Sequence, residues 1–291
     1  ESVFSPNGNP TPIGDRDYMV AKAQEMYHEL SPETGEFFDF MVDYDLFDLV
    51  TKPGKRTGGY CRFLQAYRAP FIFANFNGTD ADVSALTHEA GHAFAYYTTS
   101  KVQKTLQRCS PVNDIAEIHS MSMEFWTFPW LESFFGDRAD EYRENNIVNA
   151  LMKIPYRVSI DEFQHRVYQN PDMTPSERKA VWREIERTYM PWRTYDGNEF
   201  MEQGGYWMQN QHIFLYPFYF IDYAMAQLGA FEFYAQMRTD RKAAWENYYK
   251  LCQVGGSAGY LEVIERHNLR NTLQDGSVKE ILAPIFEELG L

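Results

Sequence analysis

Asp82 to Thr98, DVSALTHEAGHAFAYYT, holds His88, Glu89 and His92 in the order H-E-x-x-H, a pattern that tightly restricts what this chain can fold into. Val83, Leu86, Ala90, Phe94 and Tyr97 recur at helical spacing, and nothing between Val83 and Tyr97 breaks a helix. Residues four apart lie on one helix face about one turn apart, so the two imidazoles can converge on one metal ion. Glu89 is rotated from that face and is left near the metal to handle a water. Two neutral imidazoles, a water and a carboxylate to take its proton are what zinc-assisted peptide hydrolysis needs. Gly91, with no side chain, lets another segment approach the helix closely.

Catalytic zinc usually takes a third protein ligand and keeps one position for water. The candidates lie on Pro111 to Phe125, where Ile115, Ile118, Ser122 and Phe125 mark a second helix. A turn near Cys109 to Pro111 lets this helix pack antiparallel to the first, which returns a carboxylate to the histidines. Glu117 is the preferred ligand. Asp114, His119 and Glu124 compete with it, and Asp114 and Glu124 also suit the orienting of a metal-bound imidazole. A solvated or capping role stands beside ligation for each of these three.

Three runs resemble peptidase family M3, in particular the catalytic half of enzymes of the oligoendopeptidase F type. They are H-E-A-G-H at 88 to 92, E-I-H-S-M-S-M-E-F at 117 to 125 and H-I-F-L-Y-P-F-Y at 212 to 219, preceded by G-G-Y-C at 58 to 61 and P-F-I-F-A-N-F at 70 to 76. The resemblance implies a mainly helical, zincin-like catalytic domain with a small sheet ahead of the H-E-x-x-H helix. It implies one zinc ion held by His88, His92 and Glu117, Glu89 as general base, and internal cleavage of short peptides. It also implies His212 and Tyr219 as donors to the tetrahedral oxyanion, a task that suits an imidazole N–H or a phenol. Seven residues apart, the two would share a helix face if the helix were regular, which Pro217 disturbs; Tyr216 and Tyr223 stand in reserve. Family members of this type carry a helical N-terminal region before the part seen here. A partner segment or second chain is therefore expected to complete the substrate channel.

The remainder of the chain fits this reading. The 291 residues, 44% hydrophobic and 16% aromatic, describe a globular protein and are read as one catalytic domain over 1–291. A net charge of −14 without a basic patch argues against a nucleic-acid partner and mildly favours cationic peptides. Cys61, Cys109 and Cys252 are widely spaced and odd in number, which points away from a disulfide framework and towards a reducing, cytoplasmic setting. No apolar run approaches the ~18 residues of a membrane span, and no signal peptide is recognised. The polar opening, ESVFSPNGNPTPIGD, reads as a fragment boundary or a processed end.

Helices are expected from Asp15 to Leu30, from Ser31 onward, then Arg138–Lys153, Arg157–Gln169, Pro175–Tyr189, Lys242–Leu251, Leu261–His267 and Val278–Leu289. Tyr60–Ala66 and Phe71–Phe76 are expected as a hairpin whose edge pairs with an extended peptide; proline at Ala74 should then raise KM with the fold retained. The glycines at 255, 256 and 259 follow no nucleotide-binding spacing and are read as a stop between two helices. Two rival classes stand against the peptidase: a zinc-binding but inactive partner module, and a metal-free helical scaffold.

Overall fold

A computed structural model describes residues 8–291, so part of the opening polar run, 1–7, lies outside the described residues. The chain divides into two compact units, one made of the residues up to Ile147 together with Leu228–Leu291, the other of Val148–Gln227.

In the first unit, α1 (Arg16–Leu30) starts where the Asp15 carboxylate accepts from the N–H groups of Asp17 and Tyr18, each at 3.1 Å. α2 (Pro32–Asp43) starts where the Ser31 hydroxyl accepts from Thr34 N–H, with proline in the first turn. Asp45, at φ 49°, turns the chain out of α2 and into β1 (Phe47–Val50), a strand the sequence did not announce. Its four residues start only three residues beyond the end of α2 and are too few to establish an alternation of their own. The anticipated hairpin is present as β2 (Tyr60–Leu64) and β3 (Ala69–Phe76), joined by a short 3₁₀ turn. The sheet order is β1-β3-β2, parallel on one side of β3 and antiparallel on the other. Ala74 therefore lies in the central strand, 1% exposed, and not on an edge. The edge strands of this sheet are β1 and β2, and proline at Ala74 would disrupt the ladder itself.

β2 and β3 lead into α3 (Ala81–Val102), which carries the H-E-x-x-H run, and α4 (Asn113–Trp126) carries Glu117. Ser84 bonds Glu124 near one end of the pair, and a Cβ on Gly91 would lie 2.6 Å from Ser120 Cα further along, so the helices run antiparallel. The close backbone approach expected at Gly91 is met. The loop between them is held at Cys109 O by the Thr99 hydroxyl at 3.0 Å. Gly255 and Gly256 pack on the same loop, where added Cβ atoms would meet Arg108 O at 2.1 Å and Ser110 O at 2.5 Å. Those glycines thus do more than separate Arg241–Val254 from Tyr260–Arg266.

Aromatic side chains fill the core behind α3 and α4. Phe37 meets Phe94 edge-on at 5.5 Å, Trp126 meets Trp245 at 5.1 Å, and Phe125 stacks on Phe231 at 5.5 Å. Each such pair adds ~0.5–1.5 kcal/mol beyond the burial of its area. The closing helix, Ser277–Glu288, is as expected.

The second unit has its own core of Ile160, Phe163, Trp182, Ile185 and Trp207. Instead of two helices meeting near residue 155, one helix runs unbroken over Ala139–Gln169 with Pro155 inside it. The lost N–H and the crowded turn cost about 3 kcal/mol, offset here by a buried face that includes Ile160 and Phe163. Helix Pro175–Tyr189 has the expected capping box between Thr174 and Glu177. Among the described residues, no helix is long and apolar enough to cross a membrane.

Candidate active site

α3 and α4 bring His88, His92 and Glu117 to one point. Their ligand-type atoms all lie within 4.8 Å of one another, with Glu117 Oε2 3.3 Å from His88 Nε2 and 3.4 Å from His92 Nε2. Donors ~2.0–2.2 Å from a tetrahedral zinc are themselves spaced by roughly this much, so the trio fits a metal ion with two nitrogens and one carboxylate oxygen. The imidazole planes are nearly perpendicular, 86° apart with centroids at 5.1 Å, as expected for side chains aimed at one point from successive turns. Asp114 and His119 lie outside the trio. His119 is fully buried, and Asp114 bonds the N–H of Ile115 at 3.0 Å.

Neighbouring groups hold the trio. Glu124 Oε1 lies 2.8 Å from His88 Nδ1, while its other oxygen accepts from Ser84 at 2.8 Å and from Asn146 at 3.4 Å. Glu124 is thus the orienting carboxylate that the sequence offered as one of two roles for it. Ser120 donates to Glu117 Oε2 at 3.0 Å. The sequence reading missed Ser84 and Ser120, although each stands one helical turn from a ligand on its own helix: Ser84 four before His88, whose orienting Glu124 it bonds, and Ser120 three after Glu117, which it bonds directly. Asn146, distant in sequence, left no such signal.

Electrostatics follow from burial and these partners. Burial alone would lower the basicity of His88, yet hydrogen bonds and charge from Glu117 and Glu124 hold its imidazole well above the usual range. Burial would likewise raise Glu117, but the charge of His92 and the bonds from both histidines keep its carboxyl well below its ordinary value. Glu89 is 7% exposed, and burial raises its carboxyl pKa against the opposing pull of His88 and His92. Among the described residues its Oε2 is buried without a hydrogen-bond partner. An unsatisfied buried carboxylate oxygen beside three convergent ligands suits a water with a proton to give.

His212 and Tyr219 belong to the second unit. His212 sits on a five-residue helix, Gln211–Leu215, capped by Asn210, whose Oδ1 accepts from His212 N–H at 3.0 Å. The helix ends before Pro217, and Phe218, at φ 62°, reverses the chain. His212 and Tyr219 therefore do not share a helix face. The reversal brings them together instead: their rings stack at 5.9 Å, and Tyr223 stands 5.8 Å from His212 and 4.9 Å from Tyr219. Tyr216 is more exposed, at 48%.

Comparison with known proteins identifies the family. The family model for peptidase family M3 matches residues 20–282. Oligoendopeptidase F, chromosomal, of Lactococcus lactis subsp. cremoris is 25% identical over 273 residues, covering 88% of this chain and 44% of that protein. An X-ray structure of a protein assigned as an oligoendopeptidase F superposes with a TM-score of 0.96 at 48% identity, covering all of this chain and 52% of the other. PZ peptidase A, solved with an inhibitor, gives a TM-score of 0.94 at 47% identity, covering 98% and 50%. The chain thus spans about half the length of the relatives it matches. With the match extending over nearly the whole chain and the two-histidine, one-glutamate cluster in place, this chain belongs to peptidase family M3.

Proposed function

We propose that this protein is the catalytic part of a zinc-dependent endopeptidase acting on short peptides, with one zinc ion held by His88, His92 and Glu117. The observation that carries this reading is the convergence of those three side chains beside the buried, unpartnered oxygen of Glu89. A zinc ion in such a trio supplies Lewis acidity, which brings the pKa of a bound water towards ~7 and polarises a carbonyl.

The protein's own groups do the remainder. Glu89 takes the proton from the water as it attacks the scissile carbonyl, then returns it to the leaving nitrogen. Its burial serves both steps, since a carboxylate of raised pKa is a better base and is easily kept protonated until the amine departs. His212 and Tyr219 are the proposed donors to the oxyanion, each contributing ~3 kcal/mol or about a hundredfold in rate. The free side of β2 holds the peptide backbone as an added strand, independently of its sequence. Three free cysteines accord with work in the cytoplasm.

Because the chain spans half the length of its relatives, a further N-terminal segment or a second chain is proposed to complete the substrate channel. Metal content of the dialysed protein, measured by mass spectrometry beside cleavage of an internally quenched peptide with and without chelator, tests the reading. One equivalent of zinc with chelator-sensitive cleavage is expected, with Glu89→Gln keeping the metal and losing nearly all turnover. Zinc without cleavage would favour a partner module that needs a second chain, and absence of metal would defeat the assignment.

A further inference from the structure

The segment between β1 and β2, Lys52–Gly59, is largely exposed, yet the Lys55 side chain is only 5% exposed. Lysine is almost never buried unless its ammonium is fully bonded. Here the Nζ donates to Asp48 O at 2.9 Å, Val50 O at 3.0 Å and Ala74 O at 2.5 Å, lies 3.1 Å from Asp48 Oδ1, and sits 4.3 Å from the centre of the Phe73 ring. The β1–β3 register shifts between Asp48 and Val50, and the ammonium binds carbonyls at that irregularity.

The next residues are tied to the same strand. Asn75 Nδ2 donates to Arg56 O at 2.9 Å and Gly58 O at 2.8 Å, and Tyr60 pairs with Phe73, their rings stacked at 4.7 Å. Three consecutive residues of β3 therefore pin the segment. At its end, Gly59 lies against the proposed base: a Cβ there would be 3.3 Å from Glu89 Oε1 and 3.5 Å from Phe73 O.

We infer that Lys55 is a positioning residue, its ammonium clamping the 52–59 segment onto β3 so that the Gly59 backbone walls in the Glu89 carboxylate. The inference rests on Glu89 being the general base. A wall fixed by three strand residues and lying against Glu89 Oε1 favours one carboxylate orientation. Loosening it lets the carboxylate turn and hydrate, which slows proton transfer more than it weakens peptide binding.

Lys55→Met keeps the aliphatic stem and removes the ammonium, while Asn75→Ala frees Arg56 O and Gly58 O by a milder change. Lys52→Met removes an exposed lysine that bonds the same Asp48 carboxylate and leaves the clamp intact. Measured on the metal-loaded protein, kcat should fall roughly ten- to a hundredfold in the first two variants, with KM and metal stoichiometry nearly unchanged. Lys52→Met should match the parent. Unchanged kcat in both Lys55→Met and Asn75→Ala, or a fall matched by loss of metal, overturns the inference. Amide hydrogen exchange gives a readout that needs no turnover: residues 56–60 should exchange faster in both variants while 88–92 do not. Unchanged exchange at 56–60 removes the clamp even if the peptidase reading stands, and an inactive parent protein with a measurable clamp would count against the peptidase reading alone. If Lys55→Met fails to fold, Asn75→Ala carries both measurements.

Discussion

His88 turns a different ring nitrogen to each of two carboxylates, with Nδ1 2.8 Å from Glu124 and Nε2 3.3 Å from Glu117. With its proton on Nδ1 and donated to Glu124, the imidazole keeps a lone pair on Nε2 for a metal. Glu124→Ala should therefore weaken metal affinity ~10–100-fold while leaving one site per chain at saturation. Competition against a chelating dye measures this. Glu124→Gln should lose less, because the amide oxygen still accepts from Nδ1–H. Equal affinity in Glu124→Ala and the parent would show that Glu124 does not orient His88.

Gly91→Ala tests how far the centre depends on helix spacing. The added methyl would come within 2.6 Å of Ser120 Cα and 2.7 Å of His119 O, both backbone atoms that cannot swing aside. Alanine is worth ~1 kcal/mol over glycine in a helix, but overpacking against a neighbouring backbone costs about 1–3 kcal/mol or more and should win. The thermal midpoint should fall and metal affinity with it, since α4 carries Glu117. A rise in the midpoint with unchanged affinity would mean that the helices adjust freely.

The centre was legible in the sequence because its geometry is helical: a four-residue spacing sets both histidines, and one antiparallel partner returns Glu117. The sheet was harder to read. β1 pairs with β3 across a long stretch of chain, and its four residues carry too little pattern to separate from α2, so the hairpin seemed to have an edge at Ala74 that the fold covers. Pro155 reads as a break, yet tertiary burial keeps the helix whole around it. His212 and Tyr219 come together through a left-handed residue at Phe218, a conformation no spacing rule announces for phenylalanine.

Ala74→Pro should accordingly unfold or strongly destabilise the protein, by ~3 kcal/mol or more, and not merely raise KM. Circular dichroism during thermal unfolding decides it. A native-like midpoint would contradict the central position of β3.

Proton and metal compete for the same groups, and the signs follow from the metal-free electrostatics. His88 is raised above its ordinary 6.5, so its contribution to the stability of the metal-free protein is complete below that value and fades as pH rises through the folded pKa. Glu117 is held below its ordinary 4.5, so its contribution is complete above that value and is lost as pH falls through the folded pKa. Metal must displace the His88 proton. The gap in thermal midpoint between metal-loaded and metal-free protein should therefore widen from pH 5 to pH 8, with proton release on binding seen by titration calorimetry in buffers of different ionisation enthalpy. A gap that narrows over this range would contradict the assignment of His88 as a ligand.

The choice between Tyr219 and Tyr223 turns on which phenol reaches the developing oxyanion. Both rings lie within 6 Å of His212, so ring proximity does not separate them. Removing a hydroxyl used only in the transition state lowers kcat and leaves KM almost unchanged, whereas one that also holds the ground-state carbonyl raises KM. Tyr219→Phe is expected to show the first pattern, with a loss of about a hundredfold. Tyr223→Phe should cost less if, as proposed, Tyr219 is the donor. If Tyr219→Phe retains full kcat while Tyr223→Phe loses it, the donor is Tyr223, and the reversal at Phe218 serves to pack Tyr219 against His212 instead of presenting its hydroxyl.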